Sequence, residues 1–212
     1  MESQHTYITQ NKLAALHTDA KKDYLRIGKG IIKSVFRPIQ PIDFENAYLP
    51  ISREQGESIR QLIIDNNCKN IVEFGTSFGI STIYLADAAR KTNGKVTTTE
   101  LLKSKASKAI KNIDEAGLKS FVEVKIGDAM KTLNKYSKPI DFLFLDGWKD
   151  LYLPLFKMLE PLFHKDTLIY ADNINMSGTE NYAHYLKGKK HIYETTFINN
   201  KKAFITKIIT KN

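Results

Sequence analysis

Val72-Glu73-Phe74-Gly75-Thr76-Ser77-Phe78-Gly79-Ile80-Ser81-Thr82 is the stretch whose reading decides the fold. Ile71 to Phe74 is a short apolar run that stops at a glycine, and a helical pattern follows from about Ile80 to Arg90. Gly75 and Gly79 let the backbone turn sharply and let a ligand approach without interference from a Cβ. The loop is neither a GxGxxG dinucleotide fingerprint nor a P-loop, which would end in Gly-Lys-Ser/Thr. Glycines after strands are common, and by itself the loop reads equally as a structural tight turn.

Strand and helix patterns alternate on both sides of this stretch. Upstream, Ser52 with Gln55 three residues later signals a helix start, and Ile59, Leu62 and Ile63 give that helix an apolar face ending near Asn66-Asn67. Downstream, Asn93-Gly94 turns the chain into a strand at Val96 to Thr99, then a helix from about Ser104 to Ala116, stopped by Gly117. Phe121 to Ile126 is a third strand, followed by a short helix from Asp128 to about Leu133. Ile140 to Leu145 is a continuous apolar run, suited to a strand buried on both faces. A helix over about Asp150 to Phe163 and a fifth strand at Thr167 to Ala171 come next, with a further helix near Tyr182 to Leu186. Ile192 to Ile198 and Ala203 to Ile209, joined by Asn199-Asn200-Lys201, read as a closing antiparallel hairpin. Five βα units predict an α/β fold with a doubly wound, mainly parallel sheet.

Composition narrows the class. The chain of 212 residues has room for one α/β domain, here taken as 51–212, with residues 1–50 as a helical extension packed on it. No apolar run reaches the roughly 18–20 residues needed to span a bilayer, and the polar start Met1-Glu2-Ser3-Gln4-His5 lacks the apolar core of a signal peptide. Cys68 is the single cysteine, which excludes an internal disulfide framework and fits a reducing cytoplasm.

The net charge of +9 is mostly lysine, with only Arg26, Arg37, Arg53, Arg60 and Arg90 as arginines. Bidentate phosphate contacts favour arginine, so the excess reads as a solvated lysine-rich face and nucleic acid is disfavoured as a partner. One basic concentration, Lys12 to Arg37, carries Leu13, Leu16, Tyr24, Ile27, Ile31 and Val35 at nearly helical spacing. It is expected to form helices packed on the domain and broken near Gly28 and Gly30, with a second copy of the chain, a membrane or an acidic substrate as alternative neighbours. Pro38 and Pro41 mark an irregular link after it.

Ligands in open α/β sheets sit at the carboxyl ends of the strands. The second strand ends in Glu100, where an acid can accept both hydroxyls of a ribose; the third ends in Gly127-Asp128-Ala129, where Asp128 either caps a helix or reaches an adenine amino group. A glycine loop followed by these two acids describes a pocket for an adenosine without phosphates, and so points to S-adenosylmethionine. The fourth and fifth strands end in Asp146 and in Asp172-Asn173. Adjacent parallel strands would set these side by side, and two carboxylates with an amide oxygen suit a hard cation such as Mg²⁺, with Mn²⁺ or Ca²⁺ as alternatives. Taken alone, Asp172-Asn173 is equally a turn or a cap. The five histidines show no paired spacing of the kind zinc uses.

Leu145-Asp146-Gly147-Trp148-Lys149-Asp150-Leu151-Tyr152, followed by Ala171-Asp172-Asn173, resembles the catechol O-methyltransferase and caffeoyl-CoA O-methyltransferase family, over roughly Tyr48 to Ile209. The resemblance implies a seven-stranded, Rossmann-like class I methyltransferase sheet. It implies Asp146, Asp172 and Asn173 as metal ligands and Lys149 as general base. Glu73, Gly75, Ser77, Gly79, Ser81, Glu100, Leu101, Asp128, Ala129, Asp146 and Trp148 would then line the S-adenosylmethionine site. The implied acceptor is a small phenol. The animal catechol enzymes have a late acidic residue that helps hold the substrate; Phe197-Ile198-Asn199-Asn200-Lys201 has no acid there, and Glu180 and Glu194 stand unaligned. For Lys149 alone, a solvated lysine in a helix's first turn is the simpler account. The rival functions are a metal-independent methyltransferase of the same fold, an RNA methyltransferase, and a non-catalytic basic binding module using Lys12 to Arg37.

Overall fold

The computed structural model describes residues 2–33 and 37–210. Helices α1 (Glu2–Ala20) and α2 (Asp23–Lys33) are followed by α3 (Arg53–Asp65), and then strand and helix alternate: β1 (Asn70–Phe74), α4 (Ile80–Thr92), β2 (Lys95–Glu100), α5 (Lys103–Glu115), β3 (Val122–Ile126), α6 (Ala129–Thr132). The second half runs β4 (Ile140–Leu145), α7 (Tyr152–Leu159), β5 (Phe163–Ala171), α8 (Glu180–Gly188), β6 (Tyr193–Ile198) and β7 (Ala203–Ile208). They build one seven-stranded sheet in the order β3-β2-β1-β4-β5-β7-β6. The first five strands are mutually parallel, while β7 runs antiparallel to both β5 and β6. The expected closing hairpin is therefore present, with its second strand inserted against β5.

The apolar run of β4 is buried on both faces, and its alternation divides the core. Phe142 and Phe144 pack with Ile71, Ile83 and Tyr170 on the side of α1, α3, α4 and α5. Leu143 and Leu145 pack with Val72, Phe156 and Tyr182 on the side of α6, α7 and α8. Ser52 caps α3 as anticipated, its hydroxyl accepting from the Gln55 backbone N–H.

Three local expectations give way. Helix α2 runs through Gly28 and Gly30 without a break, and the chain turns instead at Lys21-Lys22. Gly30 has a packing reason: a Cβ there would lie 2.1 Å from the carbonyl oxygen of Asp43, in the short helical turn that crosses it. The helix expected over Asp150 to Phe163 is three pieces, with tight turns at Lys149–Leu151 and Glu160–Leu162 around α7. Pro161 has no N–H to continue the α-helical ladder, so β5 begins at Phe163, and the register slip between Ile140 and Phe142 of β4 absorbs the residues before Leu168. Helix α8 also extends beyond Tyr182 to Leu186 at both ends. Val35 lies outside the described residues. Helix α1 turns Leu13, Leu16 and Ala20 into the core, whereas α2 leaves Tyr24, Leu25 and Ile32 exposed.

At the carboxyl edge the parallel ladder continues one rung past each strand. The N–H groups of Gly75 and Thr76 both reach Thr99 O, Gly127 N reaches Glu100 O, Asp146 N reaches Phe74 O, and Asp172 N reaches Leu145 O. This aligns the strand-end residues in one row. The row also forces Gly75 against the neighbouring strand end: its φ is +108°, and a Cβ would meet the backbone of Asp146 and Gly147 at 2.8 Å. Backbone cannot yield as a flexible side chain can, and the φ adds strain of its own. Gly75→Ala is therefore expected to lower stability by about 2–4 kcal/mol, read as a fall in the urea midpoint at constant m-value.

Candidate active site

A cavity of about 950 Å³ opens along this row of strand ends. That volume is at the upper end of the ~300–1,000 Å³ typical of small-molecule sites, enough for a nucleoside cofactor together with a small acceptor. Of the residues singled out in the sequence, Gly75, Ser77, Ser81, Glu100, Leu101, Asp128, Ala129, Asp146, Trp148, Lys149 and Asn173 border it. Glu73, Gly79 and Asp172 do not border it, each for a different physical reason.

Glu73 lies beneath the cavity rather than on its wall, with no exposed surface. Its Oε1 accepts from Ser81 Oγ at 2.5 Å, and its Oε2 accepts from Thr82 Oγ1 at 2.5 Å and Thr98 Oγ1 at 2.6 Å. Burial raises its pKa against the opposing effect of those three hydroxyls. Gly79 is the left-handed residue that precedes α4, with φ 90°. Ser77 also has a positive φ of 50°, and its hydroxyl donates to Tyr48 O at 2.6 Å.

The two acids expected from the sequence to meet a nucleoside are held differently. Glu100 is nearly buried, its oxygens accepting from the N–H groups of Ser77 and Leu102 at 2.8 and 2.9 Å. Two backbone donors aim the carboxylate and leave further lone pairs on the cavity side. Asp128 caps α6 through the Met130 N–H at 2.9 Å, so the capping role expected of it is real, and it borders the cavity as well.

At the other end stand Asp146, Lys149 and Asp172, whose charges act on one another. Burial pushes the Asp146 carboxyl up to about 7; Asp172 and Glu73 push the same way, and Lys149 opposes them. Lys149 Nζ lies 3.4 Å from Asp146 Oδ1 and donates to the Tyr152 hydroxyl at 2.9 Å. The Tyr152 oxygen also lies 2.8 Å from Leu145 O and 2.9 Å from Asp172 O, so its single proton serves the ends of β4 and β5. Tyr152 has no exposed surface. Sequence reading quoted this residue only as part of a motif; the distance of three residues from Lys149 in a helical turn was the available signal for their contact.

Asp172 is 6% exposed, and its carboxylate accepts no hydrogen bond among the described residues. Its charge helps to raise the Asp146 pKa, so the two carboxylates repel each other and a cation between them would relieve that repulsion. No group of three or more His, Cys, Asp or Glu is gathered among the described residues, so a third protein ligand would have to be the Asn173 amide. Two carboxylates and an amide oxygen fit a hard divalent cation with open positions.

The roof of the cavity was not anticipated. Ile27 and Ile31 of α2, then Ile39, Phe44, Tyr48 and Leu49, close it from above. Asp23 anchors this segment by accepting from Leu49 N at 2.8 Å, and Arg26 spans Asp19 and Asp23. Glu180 and Glu194 do not border the cavity.

The O-methyltransferase family profile matches residues 40–199. Among similar proteins, one named catechol O-methyltransferase from Niastella koreensis is 37% identical over 134 residues, covering 61% of this chain and 60% of the relative. One named caffeoyl-CoA O-methyltransferase 2, from Petunia hybrida, is 31% identical over 134 residues, covering 60% of this chain and 55% of the relative. The chain thus spans less than two thirds of either relative's length. In three dimensions, the structure of an O-methyltransferase from Bacillus cereus in complex with SAH covers 86% of this chain and 96% of its own, at a TM-score of 0.67 and 24% identity, a likeness of fold. The Rossmann-like, class I methyltransferase sheet inferred from the sequence is the sheet these neighbours share, and with a profile match across most of its length the chain belongs to the O-methyltransferase family.

Proposed function

We propose that the chain transfers a methyl group from S-adenosylmethionine to a hydroxyl of a small catechol-like or hydroxyphenyl acceptor, assisted by a divalent cation such as Mg²⁺. One observation carries this reading. A single cavity has the glycine loop, Glu100 and Asp128 at one end and Asp146, Lys149 and Asn173 at the other. The first set suits an adenosine and the second suits an ionisable hydroxyl next to a cation.

When bound, the sulfonium would supply an electrophilic methyl, and the cation, as a Lewis acid, would make the acceptor hydroxyl more acidic. Asp146, Asp172 and Asn173 would hold that cation. Glu100 accepts from the ribose hydroxyls, while Trp148 and Leu101 offer apolar surface to the adenine. Lys149 Nζ would take the acceptor proton, while the acceptor oxygen would bond to the methyl carbon and the electron pair of the broken carbon–sulfur bond would stay on sulfur. The apolar roof excludes water and fixes the approach, so most of the acceleration comes from alignment of the two reactants. Residues 1–50 act in this reading as an extension that completes the site. The exposed outer face of α2, with Tyr24, Leu25 and Ile32, is the surface available to a second copy.

Methyl transfer from labelled S-adenosylmethionine to a panel of catechols and hydroxycinnamoyl compounds tests the assignment. Turnover should require Mg²⁺, vanish with EDTA, and fall at least about 100-fold in Asp146→Ala. Turnover indifferent to EDTA would instead establish the metal-independent reading. Tyr152→Phe removes the hydroxyl that receives Lys149 Nζ and bridges two strand-end carbonyls. It is expected to lower kcat about 10-fold or more with little change in KM for S-adenosylmethionine, as steady-state kinetics would show.

A further inference from the structure

Lys105 is a charged group that the proposed chemistry leaves unused. It sits in the first turn of α5, is 5% exposed, and borders the same cavity. Two effects oppose a cation there. Burial removes its hydration, and the positive end of the helix dipole favours acids rather than lysines in the first turn. Burial lowers its pKa, against the pull of Glu100, Asp23 and Glu45. Yet among the described residues no carboxylate comes within 4 Å of Nζ and Nζ donates no hydrogen bond. Its nearest recorded partner is the Phe78 ring, 5.3 Å from Nζ to the centroid.

The surrounding acids are engaged elsewhere. Asp23 accepts from Arg26 and Leu49 N, and Glu45 accepts from the Ser104 hydroxyl. Glu100 alone shares the cavity wall with Lys105. The two line the same cavity, electrostatically coupled but more than 4 Å apart. A ligand hydroxyl set between them would meet both, because its proton goes to the carboxylate while its oxygen accepts from the ammonium. A carboxylate or phosphate would be repelled by Glu100, whereas a neutral diol is not.

We propose that Lys105 is a ribose-binding residue, donating from Nζ to a cofactor hydroxyl whose proton is accepted by Glu100. The inference rests on the reading of the cavity as an S-adenosylmethionine site. The cost of holding Lys105 in place, unpaired before the ligand arrives, is then recovered on binding.

Calorimetric titration of S-adenosylhomocysteine, 5′-methylthioadenosine and the 2′,3′-dideoxy form of the latter tests it, using the wild type, Lys105→Met and Lys105→Gln. Lys105→Met should weaken the first two ligands by the same factor, roughly tenfold, as expected for a charged hydrogen bond, and leave the dideoxy ligand unchanged. Lys105→Gln, which keeps a donor, should regain part of the loss. Removing a buried unpaired charge should leave the melting temperature of Lys105→Met unchanged or raised, so a folding defect is distinguishable. Equal binding by Lys105→Met and the wild type would overturn the proposal. So would a loss confined to S-adenosylhomocysteine, which would place Lys105 at the amino-acid end. A wild type that binds none of the three would overturn the cofactor reading itself.

Discussion

The carboxylate of Glu73, buried under three hydroxyls, is the interaction on which the site depends. It joins the end of β1 to β2 through Thr98 and to the first turn of α4 through Ser81 and Thr82, while Thr98 Oγ1 meets Thr76 Oγ1 at 2.6 Å. Four residues of the loop's surroundings are thus fixed relative to one side chain. A loop held at both ends in this way can sustain positive φ at Gly75, Ser77 and Gly79, conformations that a free loop would abandon. With the loop fixed, Ser77 N is set to hold Glu100, and Gly75 is set against Asp146 and Gly147. Burial of one acid therefore organises the wall of the cavity, although that acid does not border the cavity itself.

This also shows what was legible in the sequence. Strands β1, β4 and β5 were readable because largely buried apolar runs leave little ambiguity, with β4 the extreme case, whereas β2 was readable from its β-branched residues. The row of strand-end residues followed from the parallel order alone. The role of Glu73 was harder to see. A strand-end acid near a glycine loop looks the same whether it faces the ligand or lies one layer below, and only the coincidence of Ser81, Thr82 and Thr98 around it decides the matter. Distances in sequence of eight, nine and twenty-five residues carry no such signal.

The boundaries and the roof failed for related reasons. Gly28 and Gly30 looked like helix breakers because glycine propensity is read locally, yet Gly30 is required by the close passage of Asp43, a tertiary fact. Ile27 and Ile31 looked like part of a packing face or a docking face, and with Ile39, Phe44, Tyr48 and Leu49 they line the cavity. Lys105 disappeared among many lysines. Its burial and its lack of a partner distinguish it, and neither is written in composition.

The charge itself makes the same point. A net +9 invites an anionic ligand, but the acidic residues bordering the cavity are Glu100, Asp128, Asp146 and Asp150, against the basic Lys105 and Lys149. Asp172 stands just behind them. The local balance is thus negative inside a positive protein, the opposite of what the whole chain suggests. In a partly desolvated cavity the nearby charges outweigh those a Debye length away across solvent, roughly 8–10 Å at physiological ionic strength. A cavity of this sign favours cations, which accords with the sulfonium and the divalent ion of the proposed function. The excess of lysine on the outer surface is then a matter of solvation, and the site's chemistry follows from the few acids that the strand ends bring together.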